Sequence, residues 1–171
     1  MSYPIEIISD ESFVYRQTTP RQRSGTKKRK FPNESHFELR HGESGLSVNW
    51  DKYITIEENF ILIAITKSSK GNYLDHSIFR IFKYPVSLFR SIDLIEDVIH
   101  KPEFHGNPHP KGKPNNQSHS EVIYENDIEI FVKLCSYCDE EYENAYCDFD
   151  LNSINDKVSE LKLYLDENHP E

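Results

Sequence analysis

Hydrophobic and polar positions alternate through "SFVYRQ" at residues 12–17, so a strand is expected there, with Phe13 and Tyr15 on one face and Val14 and Arg16 on the other. The same alternation in "SHFELRH" (35–41) predicts a second strand with Phe37 and Leu39 inward. "HGESG" then supplies Gly42 and Gly45 as turn signals, and "LSVNW" (46–50) reads as the return strand. The period changes at Thr55. In "TIEENFILIAITKSSKG", Thr55 is an N-cap with Glu58 in the capping-box position and Gly71 a stop, which predicts a helix from residue 56 to about 68. The alternating Ile61, Ile63 and Ile65 fit a strand equally well.

Residues 77–84 read as a central strand broken at Pro85, because proline lacks the ladder donor. "IDLIEDVIHKP" fits either a turn of helix or a strand. Residues 101–120 hold four prolines, two glycines and three asparagines and predict a long surface loop of functional or mobile character. Beyond it, Ile128, Phe131, Leu134, Cys135 and Cys138 share a helical face, with Asn126 as N-cap and Glu129 in the box position. Val158, Leu161 and Leu165 mark a last helix. The expected fold is α+β in a single domain over 1–171: a central, mostly antiparallel sheet from residue 12 to about 84, with helices after Thr55, Asn126 and Asn152 packed on one face. Its core would take Phe13, Tyr15, Phe37, Leu39, Leu46, Val48, Phe60, Ile63, Phe79, Ile81, Phe131, Leu134, Leu161 and Leu165.

Composition agrees with that class. Aromatics are 12% of 171 residues, with ten Tyr and ten Phe, so large rings rather than alanines carry the apolar mass. No apolar run approaches the ~18 residues of a spanning helix, the best being "FILIAI" at 60–65. The acidic N-terminus lacks the features of a secretory signal, and three cysteines are an odd number, so a reduced cytoplasmic setting is expected.

Charge divides the chain. Arg21, Arg23, Lys27, Lys28, Arg29 and Lys30 fall in ten residues without an acid, the heart of an expected flexible basic loop over 21–33. Residues 121–171 hold 15 acids against three bases, an acidic helical C-terminal part. An acidic body repels phosphate backbones, so nucleic-acid binding would be local to the basic loop and is a lesser reading. The acidic end, with Asp139, Glu140, Glu141 and Glu143, suits a protein partner with a basic surface.

Candidate chemistry is sparse. Cys135 and Cys138 form a C-x-x-C with Cys147 nine residues on, but a closed zinc site needs four ligands, so no metal and no cofactor is expected. His105, His109 and His119 lie in the long loop; only His119 adjoins a segment ordered enough to hold it, "SEVIY". Arg16, Ser35, His36, Arg40, Ser47 and Glu121 fit a cleft in which arginine clamps a phosphate and an acid polarises a ribose hydroxyl, or else simply form a solvated sheet face. Within that reading Arg16, His36 and His119 are the catalytic candidates, and Arg40 and Ser47 the binding ones. Trp50 and Tyr53 offer an aromatic anchor for a partner, or belong to the core. Phosphate loops, nucleophile elbows and zincin motifs are absent from the sequence.

"FVYRQTTP", "FPNESHFELRHGESGLSVNW" and "NNQSHSEVIY" together resemble a group of small bacterial proteins of unassigned activity, through Tyr15, Arg16, Ser35, Phe37, Leu46, Ser47, Val48 and His119. The resemblance spans about residues 12–125 and implies a bacterial protein of an accessory or defence locus. The function expected first is a non-catalytic, protein-binding accessory or immunity-type module. The alternatives are a small enzyme acting on a nucleotide or nucleic-acid substrate through an Arg/His cleft, and local nucleic-acid binding by the basic loop.

Overall fold

The computed structural model describes residues 2–19 and 32–170, and the basic residues 21–30 lie outside them. Five strands, β1 (Phe13–Thr18), β2 (Leu46–Trp50), β3 (Arg80–Pro85), β4 (Ile95–His100) and β5 (His119–Tyr124), form one antiparallel sheet in the order β3-β1-β2-β5-β4. The fold is α+β, as expected. The sheet runs on past residue 84, however, and this moves β3 from the expected centre to an edge. There Pro85, paired with Phe13, ends the strand where its missing N–H does least harm. The ambiguous segment near Ile95 is the opposite edge strand.

No strand forms at 35–41. Both neighbours of β2 are already present, β1 and β5, so this segment has no ladder to join. It takes a 3₁₀ turn at Glu34–His36 instead, closed by Phe37 N–H donating to the Glu34 carbonyl. Asn126 then supplies what a partner strand would: its Oδ1 accepts from Leu39 N–H at 2.7 Å and its Nδ2 donates to the Leu39 carbonyl at 3.0 Å. Phe37 and Leu39 are buried all the same. Gly42 makes the turn at φ 88°, whereas Gly45 is needed for close approach, since a Cβ there would sit 2.9 Å from the Val122 carbonyl.

Helix α1 (Ile56–Ile65) starts at the expected box, with Glu58 N–H donating to Thr55 Oγ1 at 3.2 Å and Thr55 N–H to Glu58 Oε2 at 2.7 Å. It stops short of residue 68 because Thr66 turns extended and Lys67 pairs with Tyr73. A short α2 (Val86–Arg90) follows β3. Helix α3 (Ile128–Glu140) is capped by Asp127 rather than Asn126, whose amide is committed to Leu39. Ile130 takes the core position, and Ile128 is 64% exposed. α4 (Tyr142–Ala145) and α5 (Asn155–Asn168) complete the chain.

Helices lie on both faces of the sheet, not on one. Val14, Phe82, Tyr84 and Val122 pack with Phe89, Ile130 and Leu134 in one cluster, while Tyr15 and Ile81 pack with Phe60, Ile63, Ile154 and Val158 in another. Adjacent residues such as Val14 and Tyr15 point to opposite faces, so α3 and the α1–α5 pair cover different sides. Phe13, Phe79 and Leu161 are half-buried at the margins rather than core. Replacing Asn126 by alanine strands the Leu39 backbone groups and is expected to cost ~1–3 kcal/mol. Urea unfolding of Asn126→Ala checks this; an unchanged midpoint would show that Leu39 needs no such partner.

Candidate active site

β1 and β2 pair at only two positions, Val14 with Trp50 and Tyr15 with Asn49. Where the register would next place Arg16 opposite Val48, the ladder stops. Arg16 enters the gap: Nη1 donates to the Ser47 carbonyl and Nη2 to the His36 carbonyl, both at 2.8 Å. Its Nε is buried without a hydrogen-bond partner. Burial pulls the Arg16 pKa below the usual arginine value, while Tyr124, Tyr84 and Glu43 act in the opposite direction. The side chain stays a cation at neutral pH.

A cleft of about 780 Å³ opens at this split. Its walls come from β1, β2, the segment around His36, the end of α1 and the loop of residues 103–116. That loop carries no helix or strand, but it is packed: Lys67 N–H donates to the Gly112 carbonyl at 3.0 Å, and Gly112 and Pro114 are buried.

His119 opens β5 beside this loop and its ring is fully engaged. Nδ1 lies 2.7 Å from the Lys101 carbonyl, which can only accept, so Nδ1 carries the proton. In the neutral ring Nε2 is then the acceptor, and the Ser47 hydroxyl donates to it at 2.7 Å. Glu103 Oε1 stands 4.0 Å from the same Nε2. Ser47 and His119 meet because cross-strand partners share a face: Ser47 faces Glu121 and Asn49 faces His119.

Beneath them runs a chain of amides. Asn116 Nδ2 donates to Asn49 Oδ1 at 2.8 Å, Asn49 Nδ2 to Asn59 Oδ1 at 2.8 Å, and Asn59 Nδ2 to the Thr55 carbonyl at 2.9 Å. Asn49 and Asn59 are buried, so each bond is needed to offset lost hydration. The chain joins the loop, β2 and α1 into one floor. Sequence reading missed these amides; the available signal was asparagine inside a strand and inside a helix, where propensity disfavours it.

Of the expected site residues, Arg16, Ser35, His36, Arg40, Ser47 and His119 all line the cleft. His36 is there as a strut: Nε2 donates to the Thr19 carbonyl and Nδ1 accepts from Asn33 N–H at 3.1 Å, leaving no ring nitrogen for substrate. Glu121 pairs with Lys101 at 2.9 Å beside the cleft. Trp50 is 4% exposed and edge-on to His100, so it is core rather than a presented anchor, and Tyr53 stacks on the same His100 with Lys52 over its ring. Asp139, Glu140, Glu141 and Glu143 are exposed at the end of α3 and in α4, away from the cleft. Arg21, Arg23, Lys27, Lys28, Arg29 and Lys30 lie outside the described residues. No helix among the described residues is long and apolar enough to cross a membrane.

The cysteines do not converge. Cys138 and Cys147 belong to the clusters on opposite faces of the sheet, and no group of three or more His, Cys, Asp or Glu among the described residues is arranged to hold a metal. No family model, curated protein or solved structure matches the chain.

Burial raises the Cys138 thiol to about 12 and Cys147 to about 11, from an ordinary 9.0. Well below pH 9 both are protonated whether the chain is folded or not. Above it the unfolded chain releases protons that the folded protein retains, so stability falls as the pH rises from 9 towards 12. The urea midpoint is expected to drop between pH 8 and pH 10.5, and by less in a Cys138→Ser, Cys147→Ser double variant. Equal drops would assign the effect to other groups.

Proposed function

We propose that the protein is an enzyme acting on a nucleotide bound in the β1–β2 cleft, with His119 as its proton-transfer group. The observation that carries this reading is the convergence of Arg16, Ser47 and His119, each within a hydrogen bond of the next, on the wall of one cleft. Three properties of the lining support a nucleotide. Arg40 and Lys113 are exposed there and make no ion pair among the described residues, which suits phosphate. Leu62, Leu74 and Phe79 form an apolar wall for a base. Gln17, whose Nε2 donates to Asn59, presents a side-chain amide oxygen of the kind that reads base or ribose edges. Glu38, Glu43 and Glu103 also line it and suit sugar hydroxyls rather than phosphate.

The net charge of −9 disfavours anions at long range, so attraction has to be local. Calorimetric titration with ATP, NAD and a short single-stranded RNA tests the reading. One of the nucleotides is expected to bind, and the double exchange Arg40→Glu, Lys113→Glu to weaken it at least about tenfold, or ~1.4 kcal/mol. A wild-type protein that binds none of the three, or a variant that binds as well as wild type, ends this proposal.

A second reading keeps the exposed Asp139, Glu140, Glu141 and Glu143 as a docking face for a basic protein, supported by their exposure and by the absence of an ion pair at any of them among the described residues. Exchanging all four for lysine leaves the cleft intact and is expected to abolish co-purification of such a partner; retention would count against docking.

A further inference from the structure

We infer that Ser47 is a covalent nucleophile, activated by His119, that accepts a phosphoryl or nucleotidyl group from the substrate. The identity of the transferred group rests on the nucleotide reading above; the nucleophile itself rests on geometry alone.

A serine hydroxyl needs a base that takes its proton as its oxygen attacks, and the base needs a fixed tautomer. Both conditions hold here. The Lys101 carbonyl pins the proton on Nδ1 at 2.7 Å, which leaves Nε2 to accept from Ser47 Oγ, also at 2.7 Å. A backbone carbonyl thus does the orienting that a carboxylate does in a serine–histidine–aspartate triad. Glu103, 4.0 Å from Nε2, is placed to stabilise the imidazolium as it forms. Ser47 itself is exposed to the cleft although it lies in an inner strand between buried Leu46 and Val48. Its backbone cannot drift, because Arg16 Nη1 holds its carbonyl on one side and the β5 register holds the strand on the other. Cation and nucleophile are therefore fixed to the same residue, which suits a reaction that builds negative charge on phosphoryl oxygens.

The step balances without a redox partner. The Ser47 Oγ–H proton passes to His119 Nε2 as Oγ bonds to phosphorus. The bond from phosphorus to the leaving oxygen breaks with its electron pair, and that oxygen takes the proton from Nε2. Water or an acceptor hydroxyl then attacks the phosphoserine ester; His119 removes its proton and returns it to Ser47 Oγ.

An alkyl phosphonofluoridate reports on this directly, since it phosphonylates activated serines and releases fluoride. Incubation of the folded full-length chain, followed by intact mass and peptide mapping, is expected to show one adduct on Ser47. His119→Gln should slow labelling by about a hundredfold or more, the usual contribution of a general base. Ser44, exposed three positions away and bonded to Glu121, is an internal control that should stay unmodified. Should His119→Gln fail to fold, wild-type protein in urea serves instead, because unfolding separates the pair and should abolish labelling. An inert Ser47, equal labelling of Ser44, or labelling that survives in urea would overturn the assignment. The outcome is separable from that of the nucleotide titration: labelling without nucleotide binding leaves the nucleophile and removes its substrate class, and binding with an inert Ser47 does the reverse.

Discussion

The guanidinium of Arg16 between β1 and β2 is the constraint on which the rest depends. An antiparallel pair ordinarily continues until the strands run out, because each added residue satisfies its backbone groups. Here the Ser47 carbonyl of β2 is satisfied by a side chain instead, and the same guanidinium holds the His36 carbonyl of the neighbouring turn, so that acceptor stays paired where β1 and β2 part. The parting makes the cleft, and the same two bonds fix the cleft's wall. Holding a cation in so enclosed a place is costly unless its donors are used, and Nη1 and Nη2 are.

Around that split the protein substitutes side chains for missing strands more than once. Asn126 serves Leu39, and Asn116, Asn49 and Asn59 carry hydrogen bonding from the long loop through β2 to α1. Buried amide networks of this sort are rigid when every member is satisfied. They explain how a proline- and asparagine-rich loop becomes a wall of the cleft. The loop lacks an apolar core of its own, yet Gly112 is tied to Lys67 and Asn116 to Asn49.

The site is electrically mixed in a chain of net negative charge. Arg40 and Lys113, a carboxylate beside His119 and the apolar side chains of Leu62, Leu74 and Phe79 all line it, and the proposed nucleotide reading rests on that combination. The acidic surface of α3 and α4 is a separate feature that shares no residue with the cleft. Both surfaces were visible as charge in the sequence. Only one of them encloses space.

Local signals determined much of the architecture. Thr55 and Glu58 set the start of α1, the alternation at residues 12–17 and 46–50 set β1 and β2, and the apolar period set α3 and α5, because capping, pleat and helical period are properties of neighbouring residues. Strand order is not such a property. The alternating 35–41 segment lost its place in the sheet to β5, more than 70 residues on, and the apparently central β3 became an edge for the same reason. Arg16, Ser47 and His119 could be picked out as residues suited to chemistry, but their meeting depends on a 72-residue separation closed by the β2–β5 pairing. His36 was indistinguishable from His119 in the sequence, and what separates them is which backbone groups each ring happens to face. Residue types and local periods are written in the chain; convergence is decided only when distant strands pair, since that pairing sets which side chains share a face.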